Sequence, residues 1–296
     1  MTTYNDLYID IRRKLRQAGY PGASLEAREL VCCGSRKTKE ELLRDARKYV
    51  PPETEREIWS YVERHLNGEP VAYLIGEWDF YGLTLSVSED VLIPRIDTEG
   101  LAEAAIAYVR QLGRCRVLDL CAGSGCVGLA VAANAPECGV LLGEVSEKAA
   151  RICRQNIRRC GLSGQVSVMV MDALRPPARS IGEFQCIVCN PPYIPRAEIG
   201  TLERSVKDFE PYLALCGGED GLDFYRAIAR FWREALSKSG RLYFEVGMGQ
   251  ADAVLRIMRA EGFGDIQVIP DTRQVPRVVF GTVMNEVECP DFRTVF

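Results

Sequence analysis

Arg116-Val117-Leu118-Asp119-Leu120-Cys121 runs straight into Ala122-Gly123-Ser124-Gly125-Cys126-Val127-Gly128. The first stretch reads as a buried strand. The second turns on glycine and opens a helix over 124–135. A strand feeding a glycine turn and a helix is the opening unit of an α/β sheet, whose ligands bind outside the carboxyl ends of the strands. Gly123, Gly125 and Gly128 match the dinucleotide-binding spacing, and Glu144 lies near the distance expected of a ribose-binding acid. A structural glycine turn is spelled with the same letters. The motif alone therefore does not choose a ligand.

Outward from this unit, strand patterns recur at 140–145, 165–171, 185–190, 240–247, 264–270 and 276–283. Helical patterns fall near 98–112, 146–160, 222–238 and 250–262. Such alternation implies a parallel sheet covered on both faces. The join over 271–275 is too short for a parallel crossover, so the last two strands are expected to run antiparallel. Residues 1–69 carry helical spacings only: Leu7, Ile11 and Leu15, then Leu25, Leu30 and Val31, then Ile58, Tyr61, Val62 and Leu66. Pro21-Gly22 and Pro51-Pro52 break these helices, and Asn67-Gly68 stops the last. Over 70–97 the pattern changes to short extended pieces at 71–75, 78–81, 83–87 and 91–93, which predicts a β-hairpin connector. The expected organisation is a helical bundle at 1–69, a connector at 70–97 and an α/β domain at 98–296.

Bulk properties narrow the function classes. A formal net charge of −4 over 296 residues gives no whole-chain basic field, so direct nucleic-acid binding is not expected. Arg151, Arg154, Arg158 and Arg159 recur at near-helical spacing and read as a solvated helix face. Twelve cysteines suggest no disulfide framework in a chain this long. Cys121, Cys126, Cys186 and Cys189 lie in apolar runs, where cysteine behaves as a small hydrophobe. Cys186 and Cys189 would point to opposite faces of a strand. With His65 the sole histidine, no metal site is expected, and His65 itself reads as a surface helix residue. Reduced thiols point to a cytoplasmic location. The N-terminus has no apolar signal core, and no segment reaches membrane-spanning length.

Three acids at strand ends refine the ligand. Asp119 just precedes the glycines, where a diphosphate would be repelled but an ammonium group attracted. Glu144 has two acceptor oxygens for two ribose hydroxyls, and Asp172 is placed to accept an adenine amino group. This set favours S-adenosylmethionine over a nicotinamide dinucleotide. The cofactor would run along Cys121, Ala122, Gly123, Ser124 and Gly125, with Ala173 beside Asp172 and Asn190 at the reacting end.

Asn190-Pro191-Pro192-Tyr193 follows the apolar run Phe184–Cys189, where a strand ends and a loop begins. An ordinary turn can begin with Asn-Pro. At the carboxyl edge of a sheet, however, the tetrad suits a rarer task. A planar amide or exocyclic amine is a poor nucleophile because its lone pair is delocalised. The Asn190 side-chain oxygen and the Pro191 carbonyl can each accept one of its N–H bonds, drawing the nitrogen towards tetrahedral geometry. Pro191 and Pro192 bring no competing N–H and hold the loop with fixed φ. Tyr193 offers a flat face to a planar group.

Together, Asp119-x-x-x-Gly123-x-Gly125, Glu144, Asp172 and the tetrad resemble the class I (Rossmann-like) methyltransferases that modify amide or exocyclic nitrogens. Within these, the chain resembles the release factor glutamine methyltransferases over about residues 68–283. Supporting segments are 69–76, Phe80-Tyr81-Gly82-Leu83, 91–99 with its Asp97-Thr98-Glu99 run, 210–215 with Gly217-Gly218, and Phe244-Glu245-Val246-Gly247 with Gln250. The resemblance implies methyl transfer from S-adenosylmethionine to the glutamine side chain of the Gly-Gly-Gln motif in peptide-chain release factors. It also implies a monomer whose N-terminal bundle receives the protein substrate. Three positions depart from the family pattern. Cys121 replaces a usual glycine, so positive φ is not expected there. Glu144 stands for a more frequent Asp, and Ile96 for a usual Pro. Ribosomal-protein glutamine methyltransferases and adenine-N6 nucleic-acid methyltransferases are the alternatives. The first typically lack the Asp-Thr-Glu run; the second share the tetrad but fit the acidic charge poorly.

Overall fold

The computed structural model describes residues 2–284, which form two compact units. One runs to residue 78 and takes in 87–89 and 202–210; the other holds the remainder.

The first unit is helical. α1 (Tyr4–Gln17) starts on a reciprocal cap between Thr3 and Asp6, and α3 (Lys39–Arg44) repeats the device with Thr38 and Glu41. Between them lies α2 (Ala23–Ser35), and α4 (Pro52–Leu66) follows with proline in its first turn. Leu7, Ile11, Leu15, Leu30, Val31, Ile58 and Val62 make the core, whereas Leu25 is half exposed. His65 is buried, contrary to the surface position expected for it. It continues the inward stripe of Ile58 and Val62 at i+7 and i+3. Its ring pairs with the Glu69 carbonyl at 2.9 Å and faces Glu26 at 3.4 Å.

The stretch Val71–Ile75, expected to be extended, forms a short helix, α5. Pro70 precedes it with its φ already helix-compatible, Gly76 stops it at φ 78°, and Val71 and Leu74 are buried in the bundle core. Packing here overrides the strand preference of β-branched residues. The expected hairpin follows as β1 (Glu77–Phe80) and β2 (Leu83–Ser86). Tyr81 and Gly82 both have positive φ, as the tightest hairpin turns require. Residues 91–93 form no strand.

In the second unit α6 (Glu99–Leu112) leads into β3 (Arg116–Leu120), α7 (Cys126–Asn134), β4 (Gly139–Glu144), α8 (Glu147–Arg159), β5 (Val166–Val170) and β6 (Phe184–Cys189). Two single-turn helices, α9 (Arg204–Lys207, in the first unit) and α10 (Tyr212–Leu215), precede α11 (Asp223–Phe231). Then come β7 (Leu236–Glu245), α12 (Ala251–Ala260), β8 (Phe263–Pro270) and β9 (Pro276–Val283). The helix expected to reach 238 unwinds into a 3-10 turn after Phe231, and β7 starts at Leu236. The seven strands lie in the order β5-β4-β3-β6-β7-β9-β8, parallel through β7, with β9 antiparallel to both neighbours. This is the α/β sheet with an antiparallel C-terminal hairpin read from the sequence.

Strand alternation splits the core into two layers. Val117, Cys186 and Val188 pack with α6, α7 and α8; Leu118, Ile187 and Cys189 pack with α11 and α12. Cys186 and Cys189 thus occupy opposite faces, as their spacing requires. Chain order reverses between β3 and β6, which makes the carboxyl end of that pair the sheet's switch point.

Candidate active site

Strand register brings the singled-out residues to one edge. Leu120 is level with Gly143 on one side and Cys189 on the other; Gly143 is level with Met169, and Cys189 with Phe244. Val170 and Glu144 are level at the ends of β5 and β4, Cys121 and Asn190 are the first residues beyond β3 and β6, and Glu245 is the last of β7. The glycine loop, the ribose-type acid and the tetrad share this edge. Asp172 and Ala173 follow β5 at its far end.

The loop is held from several directions. Glu144 accepts the Gly123 N–H at 2.8 Å through one carboxylate oxygen and the Ser146 N–H at 2.9 Å through the other. Asp119 is buried, and its Oδ2 accepts the Gly128 N–H at 2.8 Å, tying β3 to the first turn of α7. Burial pushes the Asp119 carboxyl up to about 7, the Gly128 N–H pulls it back, and the Glu144 charge adds to the rise. Asn156 is fully buried on α8; it accepts the Ser86 N–H at 2.7 Å and donates to the carbonyls of Ser86 and Ser124 at 3.0 and 2.9 Å. The Cys153 thiol reaches the Gly123 carbonyl at 3.1 Å.

Cys121 has φ 59°, contrary to the extended backbone expected there. The chain turns sharply to leave β3 for the loop, and Cys121 takes the left-handed conformation although it carries a Cβ. A non-glycine side chain there costs roughly 1–2 kcal/mol, against which the Cys121 side chain packs on the core layer that holds Leu118 and Cys189.

At the other end of the row, Asn190 is half-buried and donates from Nδ2 to the Thr98 hydroxyl at 3.2 Å. Pro191 and Pro192 are buried. The Tyr193 carbonyl accepts from Gln250 Nε2 at 2.9 Å, and burial pushes the Tyr193 hydroxyl up to about 12, which keeps the ring neutral. Gly217 lets the 216–218 segment lie against the tetrad: a Cβ there would sit 2.7 Å from the Pro192 carbonyl oxygen.

The residues present fit a nucleoside ligand carrying a cation. Each Glu144 oxygen holds one backbone N–H and retains capacity for a hydroxyl. The Cβ position of Gly123 meets nothing within 4 Å, so a ligand can run against the bare backbone. Asp172 spends Oδ1 on the Leu174 N–H at 2.9 Å, and Ala173 is pinned through its carbonyl by Trp232 Nε1 at 2.9 Å. A cation beside buried Asp119 would favour its ionised form.

Residues 6–76 match the PrmC N-terminal domain model, and residues 102–211 match the methyltransferase small domain. A release factor glutamine methyltransferase of Thermodesulfovibrio yellowstonii is 38% identical over 86% of this chain and 90% of its own length. The chain belongs to the release factor glutamine methyltransferase family. It is accordingly a methyltransferase. Another family member, from Geobacter sulfurreducens, is 35% identical over 92% of this chain and 94% of its own. Among solved structures, a methyltransferase from Pyrococcus furiosus superposes with a TM-score of 0.52 at 16% identity, over 75% of this chain and 98% of its own. The hMettl16 catalytic domain in complex with an RNA hairpin gives 0.55 at 17%, over 71% and 79%. At such identities these two speak for the fold alone.

Sequence reasoning missed Asn156, Thr98 and Glu245 as site-building residues of this methyltransferase. Asn156 carried a signal, since an amide amid the apolar positions of an amphipathic helix must find buried partners. Thr98 and Glu245 lay in segments that carry the family likeness, but nothing in their spacing ties them to Asn190. Among the described residues no helix is long and apolar enough to cross a membrane, and no cluster of three metal-ligating side chains occurs.

Proposed function

We propose that the protein transfers a methyl group from S-adenosylmethionine to the side-chain nitrogen of the glutamine in the Gly-Gly-Gln motif of peptide-chain release factors. The observation that carries this reading is the register of β6 on β3: Leu120 is level with Cys189, so the glycine loop and the tetrad begin at neighbouring strand ends. A nitrogen-activating tetrad and a nucleoside-binding loop then open on the same edge. The family's curated members, named for release factor glutamine, support the choice of substrate.

Glu144 would hold the ribose hydroxyls, Asp172 the adenine amino group and Asp119 the methionine ammonium, with the backbone of 121–125 lining the path between. When bound, S-adenosylmethionine supplies an electrophilic methyl on a good leaving group. Asn190 Oδ1 and the Pro191 carbonyl would each accept one N–H of the substrate carboxamide, exposing its nitrogen lone pair along the line of attack. Tyr193 would cover the flat face of that carboxamide. As the new N–C bond forms, the nitrogen gains positive charge and its proton leaves to water, because an N-alkylated amide cation is strongly acidic. Alignment carries much of the rate, since fixing donor and acceptor together is worth up to roughly 7–11 kcal/mol. The matched N-terminal domain would receive the body of the release factor.

Incubation with labelled S-adenosylmethionine and release factor, DNA or RNA, followed by mass spectrometry of the protein, tests this reading. One added methyl on the Gly-Gly-Gln glutamine is expected. Label in nucleic acid alone would overturn it in favour of adenine-N6 methylation.

A further inference from the structure

We propose that Gln250 is a positioning residue for methyl transfer: its side chain locks the Tyr193 peptide and so fixes the direction of the ring that meets the substrate carboxamide. This deepens the functional reading and rests on it for the role of Tyr193.

Gln250 stands at the N-cap of α12, where serine, threonine, aspartate or asparagine would hold the first-turn N–H groups. Its side chain makes no such capping bond. It ties three other segments together instead. Oε1 accepts the Gly247 N–H at 3.0 Å, while Nε2 donates to the Tyr193 carbonyl at 2.9 Å and, at 3.4 Å, to the Gly221 carbonyl. A backbone N–H can only donate and a backbone carbonyl can only accept. These partners therefore allow the Gln250 carboxamide one orientation. The Tyr225 hydroxyl lies 3.4 Å from Oε1 and makes its shorter bond, 3.0 Å, to the Glu245 carbonyl.

The segments so tied are the tetrad after β6, the loop that reaches Gly221 and the turn after β7. They approach closely. A Cβ at Gly247 would sit 2.7 Å from Gln250 Oε1 and 3.0 Å from Tyr193 Cδ2, so the tyrosine ring lies against bare backbone there. A Cβ at Gly221 would run into the Tyr193 carbonyl oxygen. Backbone pairing takes up the chain one residue later. The Ile194 N–H donates to the Leu215 carbonyl at 3.0 Å, and the Ile194 carbonyl accepts the Gly217 N–H at 2.9 Å. Tyr193 itself is held by the glutamine side chain.

Removing Nε2 takes the donor from the Tyr193 carbonyl. The peptide between Tyr193 and Ile194 can then rotate, and the ring direction changes with it. Asp119, Glu144 and the glycine loop belong to β3, β4 and the turn between β3 and α7, so the hold on cofactor should be spared. Gln250 is assigned no contact with substrate; it acts through Tyr193.

The test compares wild type with two variants. Gln250→Glu, assayed above about pH 8 to keep it ionised, retains an oxygen for Gly247 but has no N–H for Tyr193. Gln250→Met keeps the length and loses both bonds. Three quantities are read on folded protein: kcat for release factor methylation, S-adenosylmethionine affinity by calorimetry, and the Tyr193 resonance of ligand-free, 3-fluorotyrosine-labelled enzyme. That resonance is identified by its loss in Tyr193→Phe. Both variants should lose about tenfold in kcat, the scale of one hydrogen bond, with cofactor affinity within about threefold. The Tyr193 resonance should move in both. In wild type the Gln250 side-chain NH2 protons should exchange slowly with solvent, a reading that holds even where a variant fails to fold. Fast exchange of those protons, an unmoved Tyr193 resonance, wild-type kcat in Gln250→Glu, or equal losses of kcat and cofactor affinity would overturn the proposal. If wild type does not methylate glutamine, the functional reading fails, and the Tyr193 resonance and NH2 exchange alone decide whether Gln250 holds Tyr193.

Discussion

Glu144 Oε2 accepts the Gly123 N–H at 2.8 Å, so the acid that ends β4 also pins the glycine loop that ends β3. One carboxylate thus shapes the loop and offers itself to the ligand that the loop would carry. Glu144→Gln leaves one acceptor oxygen for two backbone donors, Gly123 and Ser146. S-adenosylmethionine affinity should fall about tenfold or more, with a loss of about 1–2 kcal/mol in stability. Calorimetric titration and denaturant unfolding of the same variant check both, and a loss of affinity with unchanged stability would detach the loop-shaping role.

Asn190→Ala should separate chemistry from binding. Truncation removes the acceptor proposed to meet the substrate nitrogen but leaves Glu144, Asp119 and the loop intact. Turnover should drop by roughly 10²–10³-fold, the scale seen when one preorganised hydrogen-bonding group is removed from a reacting centre. Cofactor affinity should change by less than about threefold. Single-turnover rates beside calorimetry decide, and equal losses in both would remove Asn190 from the chemistry.

Glu245 makes stability depend on pH. Burial pushes its carboxyl from the ordinary 4.5 up to about 7, with Asp97 adding to the rise, while the Thr98 hydroxyl, Arg277 and Arg95 hold it back. The folded protein then keeps this proton over a window where the unfolded chain has released it. The resulting stabilisation is complete below about pH 4 and is lost as pH rises through about 7. Glu245→Gln is neutral at every pH and removes this slope. Relative to wild type, it should gain on the order of 1–3 kcal/mol between pH 5 and pH 8. Chemical unfolding at the two pH values measures it, and a pH-independent difference would contradict the buried proton.

Cys121 tests the backbone. At φ 59°, Cys121→Gly should relieve the left-handed cost and lose the thiol contact, leaving stability within about 1 kcal/mol of wild type. Cys121→Val places a β-branched side chain where it is strongly disfavoured and should cost about 2–3 kcal/mol. Unfolding midpoints rank the three proteins. Valine matching glycine would mean the turn tolerates extended backbone.

Much of this was legible beforehand because it rests on local periodicity and chain order. The strand at 116–121, the glycine turn and the helix after it follow from side-chain spacing. The five-residue join at 271–275 required the antiparallel hairpin of β8 and β9. Where the reading failed, a distant partner outweighed a local preference. Val71–Ile75 has strand-like residues but winds into a helix to bury Val71 and Leu74 in the bundle core. His65 looks like a surface polar residue, yet it lies on the inward stripe of α4 and finds its partners in Glu69 and Glu26. Cys121 bends where β3 ends, although it carries a Cβ.

By itself the sequence determined the α/β order of the elements, the acids at three strand ends and the tetrad after the fourth strand of the large sheet, because each is written in neighbouring residues. Only the tertiary structure decided that the strand ends carrying Glu144, Cys121, Asn190 and Glu245 are neighbours in one sheet, and that Thr98 meets Asn190 from 92 residues away in the chain. Strand register and helix packing set those meetings, and both are fixed by contacts between segments that no local spacing records.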